Sequence, residues 1–183
     1  MIIGITGTFA AGKDTVADYL KEKGFEHFSL GEELTDIANE RGLAVSRDNL
    51  RELGNEMRDQ NGPEYLAKRV MGKVSKENVA IAGIRQPAEI DFLKQQKSFY
   101  LVSVDAPIEI RFERMSSRSR EGDPKTLEEL KEKEQKEMSG SKNAQQILAC
   151  MERADFTIIN DGDFQKLHKE VDNVIVRIEG ISH

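Results

Sequence analysis

Residues Gly7-Thr8-Phe9-Ala10-Ala11-Gly12-Lys13-Asp14-Thr15 have the types and spacing to hold phosphate. Two glycines separated by four residues let successive backbone N–H groups curl into a nest around phosphate oxygens. Lys13 then brings a point charge to the β- and γ-phosphates of a nucleotide. A helix that opens at the end of the loop adds the positive end of its dipole. The expected phosphate contacts are Thr8, Phe9, Ala10, Ala11, Gly12, Lys13, Asp14 and Thr15. Further along, Arg114 and Arg118 are four residues apart, so on a helix both forks can face one phosphate cluster. Arg85 follows an apolar run and would project from a strand end into the crevice where α/β sheets bind ligands. Phosphoryl transfer needs such positioning and charge stabilisation more than it needs covalent chemistry. Lys13, Arg85, Arg114 and Arg118 are therefore the candidate catalytic residues.

Chemistry of this kind depends on the elements that carry it. Apolar runs at 1–6, 25–29, 78–83, 99–105 and 156–160 read as five strands alternating with helical patterns, which predicts a parallel sheet wrapped by helices. The first run leads into the phosphate loop, and Val16, Ala17, Tyr19 and Leu20 form a helix stripe behind it that ends at Gly24. Between the second and third strands lies a helical insertion, about 31–75. Its stripes are Leu34, Ile37 and Ala38, then Leu50, Leu53 and Met57, then Tyr65, Leu66, Val70 and Val74. Ser46 or Asp48 suits an N-cap, and Gly62-Pro63 punctuates the start of the next helix. Arg47, Arg51 and Arg58 on this insertion are placed to clamp an anionic acceptor or to sit on solvated faces. After the fourth strand, 108–115 reads as a helix begun by Pro107. The stretch 116–142 is intensely charged and reads as a solvated helix or a mobile lid.

The 183 residues suit a single α/β domain. A net charge of −6 and a pI of about 5.3 do not invite nucleic acid to the surface as a whole. No apolar run approaches the ~20 residues that span a bilayer, so no membrane partner is expected. The lone Cys150 excludes a disulfide framework, agrees with a reducing cytoplasm, and reads as a core thiol. The three histidines have no metal spacing.

From end to end the chain resembles the nucleoside-monophosphate-kinase branch of the P-loop kinases. Gly12-Lys13-Asp14-Thr15 is similar to the Gly-Lys-Gly-Thr of adenylate kinases, and phage deoxynucleoside-monophosphate kinases often carry Gly-Lys-Asp-Thr itself. Ser29-Leu30-Gly31-Glu32 looks like the Ser-Thr-Gly-Asp that opens the acceptor-binding helices. Gly83-Ile84-Arg85 looks like the end of Asp-Gly-Phe-Pro-Arg, and Arg114 with Arg118 matches the arginine pair that starts the lid. An archaeal and bacterial kinase-like family, related to adenylate and dephospho-coenzyme A kinases, is closer still. Its pattern stands here as Gly83-Ile84-Arg85 with Glu89, as Arg111-Phe112-Glu113-Arg114, and as Ala154-Asp155 running into Asn160-Asp161-Gly162. The resemblance implies a three-layer α/β/α P-loop fold over 1–183 with an acceptor-binding helical insertion and a lid. It also implies ATP and Mg2+ as cofactors and a monomer or homodimer. Ser29, Gly31, Glu32, Arg58 and Arg85 are the expected acceptor contacts, and Asp14 and Thr15 the expected metal contacts.

Two departures from that pattern bear on chemistry. Ile81-Ala82-Gly83 ends the third strand where relatives carry an aspartate for the magnesium shell. Asp14 is the replacement to consider first, although it can equally cap the first helix turn; Asp105 comes next. Thr35 stands where adenylate kinases place an arginine on the acceptor phosphate. Dephospho-coenzyme A kinases carry an aspartate pair after the second strand, and here His27-Phe28-Ser29-Leu30-Gly31 offers no carboxylate before Glu32. The expected activity is phosphoryl transfer from ATP to a nucleoside or deoxynucleoside monophosphate. Dephospho-coenzyme A phosphorylation is the alternative acceptor chemistry, and an ATP-binding regulator without transfer activity is the alternative of another class.

Overall fold

A computed structural model describes residues 1–118, 123–138 and 146–181. Five strands form one parallel sheet: β1 (Ile2–Gly7), β2 (Glu26–Ser29), β3 (Val79–Ala82), β4 (Phe99–Asp105) and β5 (Phe156–Ile159), in the spatial order β2-β3-β1-β4-β5. All five expected strands are present, with ends shifted by at most one residue. β1 is buried along its whole length because β3 and β4 flank it and helices cover both faces. That double coverage is why it reads as an unbroken apolar run.

Alternation along the strands divides the core. Ile2, Val79, Ile81 and Leu101 face a layer built from α2 (Leu30–Glu40), α3 (Arg47–Asn61), α4 (Tyr65–Met71), α5 (Pro87–Leu93) and α8 (Ile147–Glu152). Ile3, Ile5, Ala80, Ala82, Val102 and Val104 face α1 (Lys13–Glu22) and α9 (Phe164–Ile181). The result is the expected three-layer α/β/α arrangement. Crossover helices are what let parallel strands lie side by side.

Local signals account for the helix ends. The Ser46 side chain caps α3, accepting from Asn49 N at 3.2 Å, so of the two N-cap candidates it is Ser46 that caps. Ser29 caps α2 directly after β2. α5 begins with a capping box, the Glu89 side chain reaching back to the Gln86 N–H, with Pro87 in its first turn.

The charged stretch after β4 contains α6 (Ile108–Arg118) and α7 (Leu127–Met138). Leu130 is fully buried in α7, and Glu134 pairs with Arg111 of α6, so this stretch is anchored and not only a solvated helix. The expected lid, 116–142, runs in part over 119–122 and 139–142, which lie outside the described residues.

Candidate functional site

β1 delivers the phosphate loop to the carboxyl edge of the sheet. The chain turns there because Gly7 adopts φ 138° and lies so close to β4 that a Cβ would collide with the Val104 carbonyl. Ala10 (φ 59°) and Gly12 (φ 100°) continue the left-handed excursions that aim N–H groups inward. Lys13 opens α1, and its Nζ donates to Gly7 O at 3.0 Å and Thr8 O at 2.6 Å, so the lysine also ties its own loop together. Thr8 Oγ1 donates to Asp105 Oδ1 at 2.5 Å, joining the loop to the end of β4.

This loop lines a cavity of about 770 Å³. Phe9, Ala10, Gly12, Lys13, Asp14 and Thr15 form one wall, and Arg85, Arg114 and Arg118 also line it. The β5–α9 connection, with Asn160 and Gly162, and the start of α9, with Phe164, complete the lining. The tertiary fold thus brings all four candidate catalytic residues, 13, 85, 114 and 118, to one cavity. Of the remaining phosphate contacts, Thr8 and Ala11 are buried in the loop itself.

The arginines differ in state. One terminal nitrogen of Arg114, Nη2, donates to Asn160 O at 3.0 Å and to Asn160 Oδ1 at 3.2 Å. The other, Nη1, is buried without a hydrogen-bond partner. Burial lowers the Arg114 pKa from its ordinary value, the sign of a cation stripped of water. Arg118 is forked onto Asp123 and lies over the Phe9 ring. Arg85 leaves the end of β3 with its N–H donating to Glu89 Oε2 at 2.9 Å.

Arg58, expected on the acceptor or on a solvated face, is buried, with its side chain 3 % exposed and paired at 3.3 Å with Glu89, itself 0 % exposed. α3 packs that face inward through Leu53 and Met57, and 58 shares their stripe. Burial pushes the Glu89 carboxyl above its ordinary range, against the pull of Arg58 and of the Arg85 and Gln86 N–H groups. Arg58 therefore supports the loop that carries Arg85 from beneath. Of the other acceptor candidates, Ser29 accepts from Glu32 N and caps α2, Glu32 is exposed, and Gly31 N approaches Gly83 across the ends of β2 and β3.

Two residues reach the loop that the sequence did not assign to it. Asn160 Nδ2 donates to Ala11 O at 2.8 Å, and it packs so closely on Gly12 that a Cβ there would strike it. The signal was present in the Asn160-Asp161-Gly162 pattern, but only β5 pairing with β4 carries position 160 to position 11. Arg111, buried at the start of α6, donates to Ala106 O at 2.7 Å and Phe9 O at 3.3 Å and pairs with Glu134. It ties loop, strand end and α7 together; the Arg111-Phe112-Glu113-Arg114 pattern contained it but gave it no partner, because Phe9 and Glu134 are brought to it only by the fold.

The donor set fits a polyphosphate: Lys13, Arg85, Arg114 and Arg118 line one cavity, and Arg114 Nη1 is buried without a hydrogen-bond partner. For a metal, no group of three or more His, Cys, Asp or Glu is disposed to hold one among the described residues. Asp14 and Thr15 line the cavity at the first turn of α1, and Ala82 is buried and apolar at the end of β3. Cys150 is fully buried with its thiol pushed up to about 12 by burial, a core residue as expected. No helix among the described residues is long and apolar enough to cross a membrane.

The model of a family described as an AAA domain matches residues 3–140, and the chain belongs to that family. It is 32% identical over 97% of its length to a UPF0200/UPF0201 protein of Archaeoglobus fulgidus, of which it spans 55%. It is 28% identical to a UPF0200 protein of Pyrococcus abyssi, with both chains covered completely. Among solved structures it is similar in fold to shikimate kinase from Aquifex aeolicus, with a TM-score of 0.59, 20% identity, and 100% and 98% of the two chains covered. The fold is that of the P-loop kinases.

Proposed function

We propose that this member of the AAA-domain family is a magnesium- and ATP-dependent phosphotransferase whose acceptor is a nucleoside or deoxynucleoside monophosphate. The observation that carries the reading is Arg114: a partly desolvated guanidinium with one terminal nitrogen buried and unpartnered, in the same cavity as Lys13. A cation left in that state is stabilised by a polyphosphate that completes its hydrogen bonds.

In this reading the loop N–H groups and Lys13 hold the β- and γ-phosphates. Arg85, Arg114 and Arg118 balance the charge that spreads over the transferred group. The bond between the γ-phosphorus and the β–γ bridging oxygen breaks, and a bond from that phosphorus to an acceptor oxygen forms. A monophosphate attacks as an anion and needs no base. Magnesium, held by Asp14 or Thr15 together with the phosphates, would neutralise part of their charge. Asp14 is the carboxylate of choice because Ala82 offers none. The acceptor enters at the ends of β2 and β3, where Ser29, Gly31, Glu32 and Arg85 lie. The one cysteine and the reaction both suit the cytoplasm.

One observation favours a second acceptor. With Arg58 consumed by Glu89, Arg85 is the member of that pair of acceptor-side arginines that lines the cavity. A hydroxyl acceptor such as dephospho-coenzyme A needs less positive charge but must lose a proton. Glu32, exposed one residue after Gly31, is the base available to take it.

ADP release from ATP, measured with magnesium against nucleoside monophosphates, deoxynucleoside monophosphates and dephospho-coenzyme A, tests the reading. Turnover with a monophosphate is expected. Turnover with dephospho-coenzyme A alone would move the assignment to the hydroxyl acceptor. ATP binding with no transfer to any of them would make the protein a nucleotide-responsive regulator.

A further inference from the structure

Arg118 is the last residue of α6, and three independent features surround its guanidinium. Its Nε donates to Asp123 Oδ2 at 2.9 Å and its Nη2 to Asp123 Oδ1 at 3.2 Å. The guanidinium carbon lies 5.2 Å from the centre of the Phe9 ring, in the phosphate loop. The same side chain lines the cavity with Lys13 and Arg114. Asp123 is sheltered, its side chain 11 % exposed against 29 % for Arg118.

A carboxylate beside a polyphosphate site is electrostatically adverse, since it repels the ligand and cancels part of the arginine's attraction. What it provides is geometry. A guanidinium has five N–H donors in a rigid plane. The Nε/Nη2 fork uses the long side of that plane, and the Phe9 ring covers one face. The terminal Nη1/Nη2 edge is the one that this fork does not take. An arginine held on its side and on its face has little freedom left except to present that edge.

We propose that Asp123 is a positioning residue for phosphoryl transfer: it holds Arg118 side-on against Phe9 so that the terminal guanidinium edge meets the transferred phosphoryl group. The inference rests on the phosphotransferase reading above. Asp123 weakens ground-state attraction for ATP while fixing Arg118 for the moment when charge develops. Its signature is therefore a split between binding and turnover, and not a loss of both.

The test is Asp123→Asn in the full chain, assayed as magnesium-dependent ADP release across the same acceptor panel, with ATP affinity measured separately by titration. The variant is expected to lose roughly tenfold to a hundredfold in kcat, the scale on which misplacement of a catalytic group acts. The KM and Kd for ATP should stay unchanged or fall. Asp123→Glu, which keeps the carboxylate, should recover part of the loss. In an Arg118→Ala background, Asp123→Asn should change kcat no further, because Asp123 acts through Arg118. Thermal unfolding of each variant separates these effects from loss of fold. An unaltered kcat in a folded Asp123→Asn variant would overturn the inference. So would a rise in KM at constant kcat, or a further drop in the Arg118→Ala background. If the unsubstituted protein transfers phosphate to none of the acceptors, the phosphotransferase reading fails and this inference fails with it. If it transfers and the variants behave alike, only the inference fails.

Discussion

Arg58 and Arg118 are the same side chain in two regions, each paired with a carboxylate, and they do opposite things. In the α2–α4 layer, Arg58 is 3 % exposed and its Nη2 faces a Glu89 that no water reaches, while its Nε is buried without a hydrogen-bond partner. Nearby, Glu33 is 4 % exposed and takes both Arg69 and Lys73, each at 2.6 Å. At the carboxyl edge of the sheet Arg114 also keeps a buried nitrogen without a partner, but there Arg114 and Arg118 line a cavity that Arg58 does not reach. The helical layer spends its charges on holding helices together, whereas the phosphate-loop crevice leaves cationic capacity for a ligand. Both regions hold an arginine with an incomplete set of partners, and it is the cavity beside Arg114 and Arg118, which sequence neighbours do not reveal, that separates them.

The contrast can be broken most sharply at Arg58. Arg58→Ala leaves Glu89 buried and uncompensated, which should cost about 3–5 kcal/mol of stability. Thermal or urea unfolding reads it directly. A double Arg58→Met, Glu89→Gln variant should regain part of the loss, since it removes both charges. If Arg58→Ala is as stable as the parent but loses acceptor binding, the two regions are not distinct and Arg58 belongs to the site after all.

Lys13→Ala should show the opposite profile. Phosphoryl transfer should fall by about 100-fold or more, equivalent to roughly 3–4 kcal/mol of transition-state stabilisation. Stability should change little by comparison, although the bonds to Gly7 O and Thr8 O are lost. Near-normal turnover in that variant would remove the kinase reading.

Asn160 lies between the two kinds of behaviour, because it pairs with Arg114 and also pins the loop at Ala11. Asn160→Ala should weaken ATP binding by roughly tenfold, the worth of about one buried hydrogen bond. A calorimetric titration that finds ATP affinity unchanged would reduce Asn160 to packing. Asp14→Ala should raise the magnesium concentration for half-maximal activity far more than the ATP requirement. A magnesium dependence that stays put would leave Asp14 as a helix cap and turn attention to Asp105.

The smallest effect belongs to Glu33. Burial would raise its carboxyl pKa, but hydrogen bonds from Lys73 and Arg69 outweigh it and hold the pKa below its ordinary value of 4.5. A depressed carboxylate pKa contributes stability above pH 4.5, and that contribution disappears as pH falls through the lower folded value. Lys73 is 46 % and Arg69 33 % exposed, so solvent screening keeps the contribution to about 1 kcal/mol or less. Arg69→Ala should therefore lower stability slightly at neutral pH and narrow its difference from the parent in acid. An equal deficit at pH 7 and below the folded pKa would mean that packing, not charge, was lost.

Much of this molecule could be read along the chain because its signals are local. A central strand covered on both faces is mostly apolar, so Ile2–Gly7 and Val79–Ala82 announced themselves. The edge strands β2 and β5, less fully buried, were legible as short runs between helical patterns. Gly7, Gly12 and Lys13 belong to one short loop, and their spacing alone implies the nest. Arg114 and Arg118 share a helix face at a separation of four, so their convergence was also legible. What the chain could not reveal are facts of contact between distant segments. Asn160 reaches Ala11 across 149 positions, and Arg58 reaches Glu89 across 31. Neither has a periodicity of its own. An arginine on a helical insertion looks the same whether its face turns to a ligand or to a buried glutamate. Only the packing of α3 onto the sheet, which buries Leu53 and Met57 and carries position 58 inward with them, decided which it would be.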